Sequence, residues 1–223
     1  KRSEAYIGVL IDDLINKIPD EPYRIFTSCA EYRLILRQDN ADRRLMKYGH
    51  RFGLIPDDIY NAMTEKARLI GEGIEYFKTN FAAPEKVNDY LESISSPPLK
   101  QSDRLSQIIK RNETSLGDFL KLDMFNDNPL MEKIRNSRVL TEQIEIELRY
   151  EGYIARQAEQ AEEFNRYESI ELPESFDFNK IKSLSTEGRE KLNKVRPRSI
   201  GQASRIAGVS PSDVSILTIY VRG

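Results

Sequence analysis

The amino-acid sequence predicts an all-α protein built from helical bundles. Apolar residues recur at helical spacing in several segments, and helix-start signatures precede many of them. No segment alternates apolar and polar residues far enough to build a sheet of any size. The 223 residues suit two small domains better than one. Only Tyr23–Arg37 lacks a clear period, so one irregular N-terminal piece is expected.

Two helices are predicted in the N-terminal half. The first spans Ala5–Asn16, and the second spans Asp57–Asn80, which is entered through Pro56. The first helix should bury one stripe of apolar side chains, made of Ile7, Leu10, Ile11, Leu14 and Ile15. The stripe of the second runs from Ile59 to Phe77. A linker-like loop rich in Ser and Pro is expected to follow at Ser93–Ser102.

Helix-start signatures recur in the C-terminal half. Ser115 with Asp118 resembles a capping box, and Thr141 is expected to cap one long helix that reaches Asn165. From Phe176 onward, the sequence predicts three short helices. The second of these begins with the capping box Ser199-Ile200-Gly201-Gln202, and the last begins with Ser210-Pro211-Ser212-Asp213.

Composition excludes several classes of protein. Charged residues make up 31% of the chain and no long apolar run exists, which excludes a membrane-spanning helix. The single cysteine, Cys29, allows no internal disulfide, as is typical of the reducing cytoplasm. Cys29 is expected to be a small buried residue and the single histidine, His50, a surface or loop residue. Glycine-rich phosphate loops, zinc motifs and nucleophile elbows are absent, so no catalytic or metal site is predicted.

The formal net charge of −2 hides a strong segregation of charge. Arg24–Arg51 carries seven Lys/Arg and three acids, and Phe176–Gly223 carries nine Lys/Arg and four acids. Glu145–Glu174, between them, carries nine Glu and three Arg. The two basic blocks suggest a polyanion as partner, and the acidic block suggests a solvated face.

The sharpest candidate for anion binding is the approach to Ser199. Arg196 and Arg198 stand directly before this capped helix start, where free N–H groups and the helix dipole favour a phosphate. Cations close in sequence could extend the patch: Lys191, Lys194 and Arg205. The alternative is that these arginines pair with the acidic segment Glu145–Glu174.

Two further patterns leave alternatives open. Arg149, Tyr153 and Arg156 share one side of the predicted long helix, where they could hold a phosphate and stack a base, or Tyr153 could pack on the core. The last two helices have the spacing of a helix-turn-helix motif. Because the last helix offers no Lys or Arg before Arg222, a structural hairpin is favoured over DNA reading.

Four segments carry a resemblance to a known family: Glu4–Ile15, Glu21–Leu45, Leu148–Gln157 and Arg196–Leu217. They resemble the C-terminal part of the GidA/MnmG family, the tRNA uridine 5-carboxymethylaminomethyl modification enzymes. Cys29 stands where the family pattern TSRAEYR has its first arginine, and Arg43 stands where the family usually has an apolar residue.

The resemblance implies a flavoenzyme that binds FAD, uses NADH, forms a homodimer and acts in the cytoplasm. It implies joint action with the GTPase MnmE on the wobble uridine of tRNA, with the flavin motif and catalytic cysteines upstream of this chain. Residues 1–52 would then be the remnant of an α/β flavin-binding domain, 53–145 a helical domain and 146–223 a C-terminal helical subdomain.

On this reading the chain docks tRNA and the GTPase and performs no chemistry alone. The expected tRNA-binding residues are Arg24, Arg33, Arg37, Arg44, Arg149, Arg156, Lys191, Arg196, Arg198 and Arg205. The alternatives are a protein-interaction bundle whose basic residues pair internally, and a DNA-binding helix-turn-helix module.

Overall fold

A computed structural model describes residues 1–16, 23–24 and 32–222. Regular β structure in these residues consists of two short antiparallel strands, Phe81–Ala82 (β1) and Asp103–Arg104 (β2). The prediction of an all-α fold is therefore confirmed. None of the described helices is both long and apolar enough to cross a membrane.

The described residues form twelve α-helices. In chain order they are Tyr6–Asn16 (α1), Ala41–Arg51 (α2), Asp57–Thr79 (α3), Pro84–Ser93 (α4), Leu105–Ile109 (α5), Leu116–Phe119 (α6), Pro129–Arg135 (α7), Arg138–Arg149 (α8), Glu151–Glu168 (α9), Thr186–Val195 (α10), Ile200–Ser204 (α11) and Pro211–Arg222 (α12). The chain divides into two compact units, one of Arg37–Ile154 and one of Lys1–Leu36 with Ala155–Gly223. The three predicted domain ranges stay a prediction.

The unit Arg37–Ile154 is built around α3, which packs against α5, α7 and α8. Ile70 and Phe77 of α3 are buried, and Gly73 lies between them. A Cβ at Gly73 would come within 2.7 Å of Ile144 Cδ1, so the side chains of α8 pack directly on α3 at this glycine. The predicted range of α3 is confirmed to within one residue, but the first half of its stripe is not buried: Ile59 is 50% exposed.

Helix α1 has the predicted bounds to within one residue, but a different side of it is buried. Four residues of the predicted stripe are at least half exposed: Ile7, Ile11, Leu14 and Ile15. Val9 and Asp13 are buried instead. The reason is that Arg2 folds over this side and donates hydrogen bonds to Asp12 Oδ2 at 2.8 Å and Asp13 Oδ1 at 2.7 Å.

The single long helix predicted from Thr141 is wrong. The chain forms α8 and α9 and turns between them at Tyr150, where φ is −99° and ψ is 11°. Ser137 caps α8, and Thr141 lies inside the helix with its hydroxyl donating to Ile134 O at 2.9 Å. Two residues with capping side chains stand four positions apart, and local sequence could not decide between them.

The start of α6 follows Ser115 as predicted, but the predicted capping box does not form. The Ser115 side chain makes no cap hydrogen bond. The Leu116 N–H donates instead to Glu145 Oε2 at 2.8 Å, a carboxylate from α8. Glu145, which is distant in sequence, therefore takes the capping role that the local pattern predicts for Ser115 and Asp118.

The three predicted C-terminal helices are confirmed as α10, α11 and α12. Leu192, Ile200, Ala203 and Leu217 are fully buried between them. Ser210 caps α12 as predicted, because Asp213 N donates to Ser210 Oγ at 3.1 Å. Asp213 makes the cap reciprocal, since Ser210 N donates to Asp213 Oδ2 at 2.9 Å.

The Asp213 carboxylate also joins α12 to α10. It is 2% exposed and accepts hydrogen bonds from Ser185 N at 2.8 Å and Ser185 Oγ at 2.9 Å, in addition to those from Ser210. Burial alone would raise the pKa of Asp213, but the hydrogen bonds from Ser185 and Ser210 outweigh it and lower this pKa to about 2. One charged side chain therefore fixes two helix starts.

Asp213→Asn is expected to lower the free energy of unfolding by about 2 kcal/mol at pH 7, because an amide cannot accept all of these hydrogen bonds. The folded-state pKa of about 2 lies below the unfolded value of about 3.9. The stabilisation from the Asp213 charge is therefore complete well above pH 4 and is lost as pH falls through 2. Urea unfolding of the wild type and the variant at pH 7 and pH 3 measures the difference between them.

At pH 3 that difference should fall to about half its value at pH 7. Asp118→Asn is the matched control, because the Asp118 side chain is 58% exposed and its ion pair with Lys121 lies on the surface. A difference for Asp213→Asn that stays the same at both pH values would contradict this account.

Candidate nucleic-acid interface

The capped start of α11, where the sequence predicts a phosphate, holds a carboxylate of the protein itself. Ser199 Oγ accepts from Gln202 N at 3.0 Å, so Ser199 caps α11 as predicted. The Gln202 side chain reaches back to Arg198 N, at 2.7 Å, and not to Ser199 N as in a capping box. The Ser199 hydroxyl also donates to Glu168 Oε2 at 3.2 Å. A Cβ at Gly201 would collide with this carboxylate. Glu168 therefore takes the position at which an external anion was expected.

Arg205 points toward the same carboxylate and away from solvent. Its side chain is 9% exposed and pairs with Glu168 through Nη1. Its Nη2 donates to Asp12 Oδ1 at 3.0 Å, and its guanidinium lies 5.0 Å from the centroid of the Phe164 ring. For Arg205 the structure thus favours the alternative of internal pairing with the acidic segment.

Arg196, Arg198 and Lys191 are exposed. Arg196 ends α10 in the left-handed conformation, with φ 53°, and its Nη1 donates to Phe176 O at 2.8 Å. The backbone of Arg198 is fixed, because its carbonyl accepts from Leu172 N at 2.8 Å. Among the residues that the structure describes, the Arg198 side chain forms no ion pair.

A cavity of about 370 Å³ opens beside these two arginines. It is lined by Leu172, Pro173, Glu174, Phe178, Arg196, Pro197 and Arg198. The Arg196 guanidinium lies 5.9 Å from the centroid of the Phe178 ring. The cavity is thus lined by apolar residues together with two cations and one carboxylate.

The arginines of the N-terminal basic block differ in exposure. Arg24 and Arg33 are exposed. Arg37 is half-buried, and it donates to Asp39 Oδ1 at 3.0 Å and to Glu147 Oε1 at 2.9 Å. Burial alone would lower the pKa of Arg37, but the hydrogen bonds to Asp39 and Glu147 outweigh it and raise this pKa.

The next two arginines of this block also make contacts within the unit. Arg43 Nη2 shares Glu147 Oε1, at 2.9 Å. Arg44 donates from Nε to Asn40 Oδ1 at 2.8 Å and from Nη2 to Arg37 O at 3.1 Å. Several cations of the basic block are therefore used to fasten the start of α2 to its surroundings.

The single helix predicted to align Arg149, Tyr153 and Arg156 does not exist, because the chain turns at Tyr150. Arg149 donates to Ile109 O at 3.2 Å and to Thr114 O, and it pairs with Glu145 at 3.1 Å. Tyr153 is 61% exposed, so the alternative that its ring packs on the core is wrong. Arg156 is exposed as well.

Polar side chains of helix α12 are buried or form hydrogen bonds within the helix. Asp213 is buried, and the hydroxyls of Ser215 and Thr218 donate to Pro211 O at 3.0 Å and Val214 O at 2.8 Å within the helix. These side chains are the ones that a helix-turn-helix motif would present to base edges. The geometry favours the structural hairpin.

His50 of α2 contacts two residues of α3. The His50 ring stacks on Tyr60, with 4.1 Å between centroids, and its Nε2 lies 2.7 Å from Asp57 Oδ1. Cys29 lies outside the described residues. Within residues 1–16, 23–24 and 32–222, no three His, Cys, Asp or Glu side chains group so as to hold a metal ion.

Two family models match this chain. Residues 57–158 match the MnmG/GidA C-terminal helical domain of tRNA modifying enzymes, and residues 160–223 match the MnmG/GidA C-terminal helical bundle. Among solved structures, GidA of Aquifex aeolicus in the form II crystal matches with a TM-score of 0.74 and 34% identity, covering 100% of this chain and 33% of that one.

Two curated relatives are named tRNA uridine 5-carboxymethylaminomethyl modification enzyme MnmG. The protein of Caldicellulosiruptor saccharolyticus is 48% identical over 99% of this chain, and that of Lachnoclostridium phytofermentans is 44% identical over 99%. This chain spans about a third of their length, 34% in both cases.

These helical units match the C-terminal helical region of a family that is described as tRNA modifying enzymes. The chain belongs to the MnmG/GidA family, and the resemblance read from the sequence is confirmed. What the sequence did not show is the role of Glu168. Its one signal was its place in the acidic block, which gave no indication that it faces the start of α11.

Arg205→Met is expected to lower the free energy of unfolding by about 2 to 4 kcal/mol, because Glu168 and Asp12 lose their shared cation in a largely buried place. Arg198→Met is the matched control, and it should change stability by no more than about 0.5 kcal/mol because Arg198 is exposed. Denaturant unfolding measures both. Equal stability of the two variants would contradict the inward placement of Arg205.

Proposed function

We propose that this region binds tRNA through the exposed cations next to α10 and α11, as the docking region of an enzyme that modifies the wobble uridine. The proposal depends on a difference in exposure among the C-terminal cations. Arg196, Arg198 and Lys191 are exposed, while Arg205 is neutralised by Glu168. Exposed cations can each contact a phosphate, and such contacts position a nucleic acid without reading its bases.

The cavity beside Arg196 and Arg198 supports this proposal. Phosphate contacts by the two guanidinium groups would bring the neighbouring nucleoside to the opening of this cavity, beside the exposed Pro173. In this proposal Arg24, Arg33 and Arg156 extend the contact, because they too are exposed. The other predicted contacts act as scaffold, because their donors are used internally: Arg37, Arg44, Arg149 and Arg205.

For the whole protein we propose FAD and NADH as cofactors, the GTPase MnmE and a second copy as partners, and a cytoplasmic location, all from the family resemblance. Gly71 and Gly73 lie inside α3 and form no phosphate loop. No step of flavin chemistry is therefore assigned to this region.

A second candidate function is a protein-interaction bundle. It is favoured by the internal pairing of Arg37, Arg149 and Arg205, which shows that many basic residues serve the fold. The two functions differ in how binding responds to salt. Phosphate contacts release counterions, so RNA affinity falls steeply as salt concentration rises.

The double variant Arg196→Ala with Arg198→Ala, in the full-length protein, is expected to weaken tRNA binding about tenfold or more. The slope of log affinity against log salt should fall in magnitude by about two, one for each lost phosphate contact. Fluorescence anisotropy with labelled tRNA at several salt concentrations measures both quantities.

The matched control is Arg68→Ala with Arg138→Ala, which removes two exposed arginines that are paired with Glu72 and Glu142 along their own helices. This control should bind tRNA like the wild type. If both double variants bind tRNA with the wild-type affinity and slope, the docking surface is not here, and the protein-interaction function gains support.

A further inference from the structure

The C-terminal end of α2 carries an exposed face of cations and aromatic rings, formed by Lys47, Tyr48, Arg51 and Phe52 and called here the α2 tip. Lys47 and Arg51 stand one helical turn apart, and so do Tyr48 and Phe52. Helix α2 has no buried residue, and the Phe52 ring is 70% exposed. This exposed ring beside two cations is the feature to explain, since large rings normally bury most of their surface.

The backbone holds the α2 tip in one conformation. Gly53, with φ 71°, ends the helix, and its N–H donates to His50 O at 2.9 Å. Leu54 N donates to Gly49 O at 2.8 Å. A Cβ at Gly49 would come within 2.7 Å of Ile55 Cδ1, so the chain after the turn packs directly on the helix. A backbone that is already fixed loses little conformational freedom when the α2 tip binds a ligand.

The charges on the α2 tip are available for a ligand. Asp42, the acid of α2, pairs with Lys66 at 2.7 Å, and Asp57 contacts His50. In the part of the chain that the structure describes, Lys47 and Arg51 form no ion pair. Their closest aromatic contacts are with the neighbouring rings: Lys47 Nζ lies 5.0 Å from the Tyr48 centroid and Arg51 Cζ 6.0 Å from the Phe52 centroid.

We propose that the α2 tip binds unpaired bases of an RNA. Phe52 stacks on a base, and Lys47 and Arg51 bind the phosphates on either side of it. The pairing of exposed rings with unneutralised cations favours single-stranded RNA over an apolar protein partner, because every base offers a π-face and every linkage a negative charge. The bases of a duplex are already stacked, so a duplex gains nothing from Phe52. The inference rests on the proposed function, and it assigns a second contact of the same RNA.

The test measures binding of a labelled single-stranded RNA and of a duplex of equal length to the full-length protein. Phe52→Ala should weaken single-strand binding about fivefold or more and leave duplex binding unchanged. Phe52→Trp should keep the wild-type affinity, because it keeps a ring. Phe52→Leu, which keeps only apolar bulk, should behave like Phe52→Ala.

Phe81→Ala is the matched control, because Phe81 is 57% exposed with the Arg104 guanidinium 5.7 Å from its centroid, but it lies outside the α2 tip. It should leave single-strand binding unchanged. Wild-type affinity for Phe52→Leu would overturn the inference and indicate an apolar protein contact. Equal losses for Phe52→Ala and Phe81→Ala, or equal losses for single strand and duplex, would also overturn it.

The outcomes separate this inference from the proposed function. If the wild type binds neither the single-stranded RNA nor tRNA, both the inference and the proposed function fail. If the double variant Arg196→Ala with Arg198→Ala weakens tRNA binding while Phe52→Ala changes nothing, only the α2 tip fails.

Discussion

The Glu168 carboxylate is the contact on which the arrangement of the C-terminal unit depends. It lies at the end of α9, accepts from the Ser199 hydroxyl and pairs with Arg205. Through Arg205 it is linked to Asp12 of α1, which brings the first helix of the chain into the same network. Because a protein carboxylate already lies at the start of α11, we propose that a phosphate is bound further out, by Arg196 and Arg198.

The same principle operates in the unit Arg37–Ile154. Glu147 of α8 accepts from both Arg37 and Arg43, and it neutralises part of a block that looks strongly basic in the sequence. Within this unit, Lys47 and Arg51 of α2 form no ion pair among the residues that the structure describes. Net charge of a segment therefore indicates that a polyanion partner is plausible, but the distribution of buried acids decides which residues can meet it.

The sequence could predict what depends on residues close together in the chain. The caps at Ser199 and Ser210 were predicted correctly because donor and acceptor stand within four residues of each other. The inward turn of Arg205 could not be predicted, because its partners Glu168 and Asp12 are 37 and 193 residues away. The buried side of α1 was misjudged because apolar spacing alone does not show that Arg2 pairs with Asp12 and Asp13.

The central claim is that internal carboxylates pair with some arginines and leave others exposed for RNA. Arginine-specific modification with phenylglyoxal tests this claim most directly. Mass spectrometry of the full-length protein, with and without tRNA, reports each arginine separately. The account predicts that Arg149 and Arg205 resist modification in both states, while Arg196 and Arg198 are modified in the free protein and protected by tRNA. Modification of Arg205 that tRNA suppresses, with equal modification of Arg198 in both states, would contradict it.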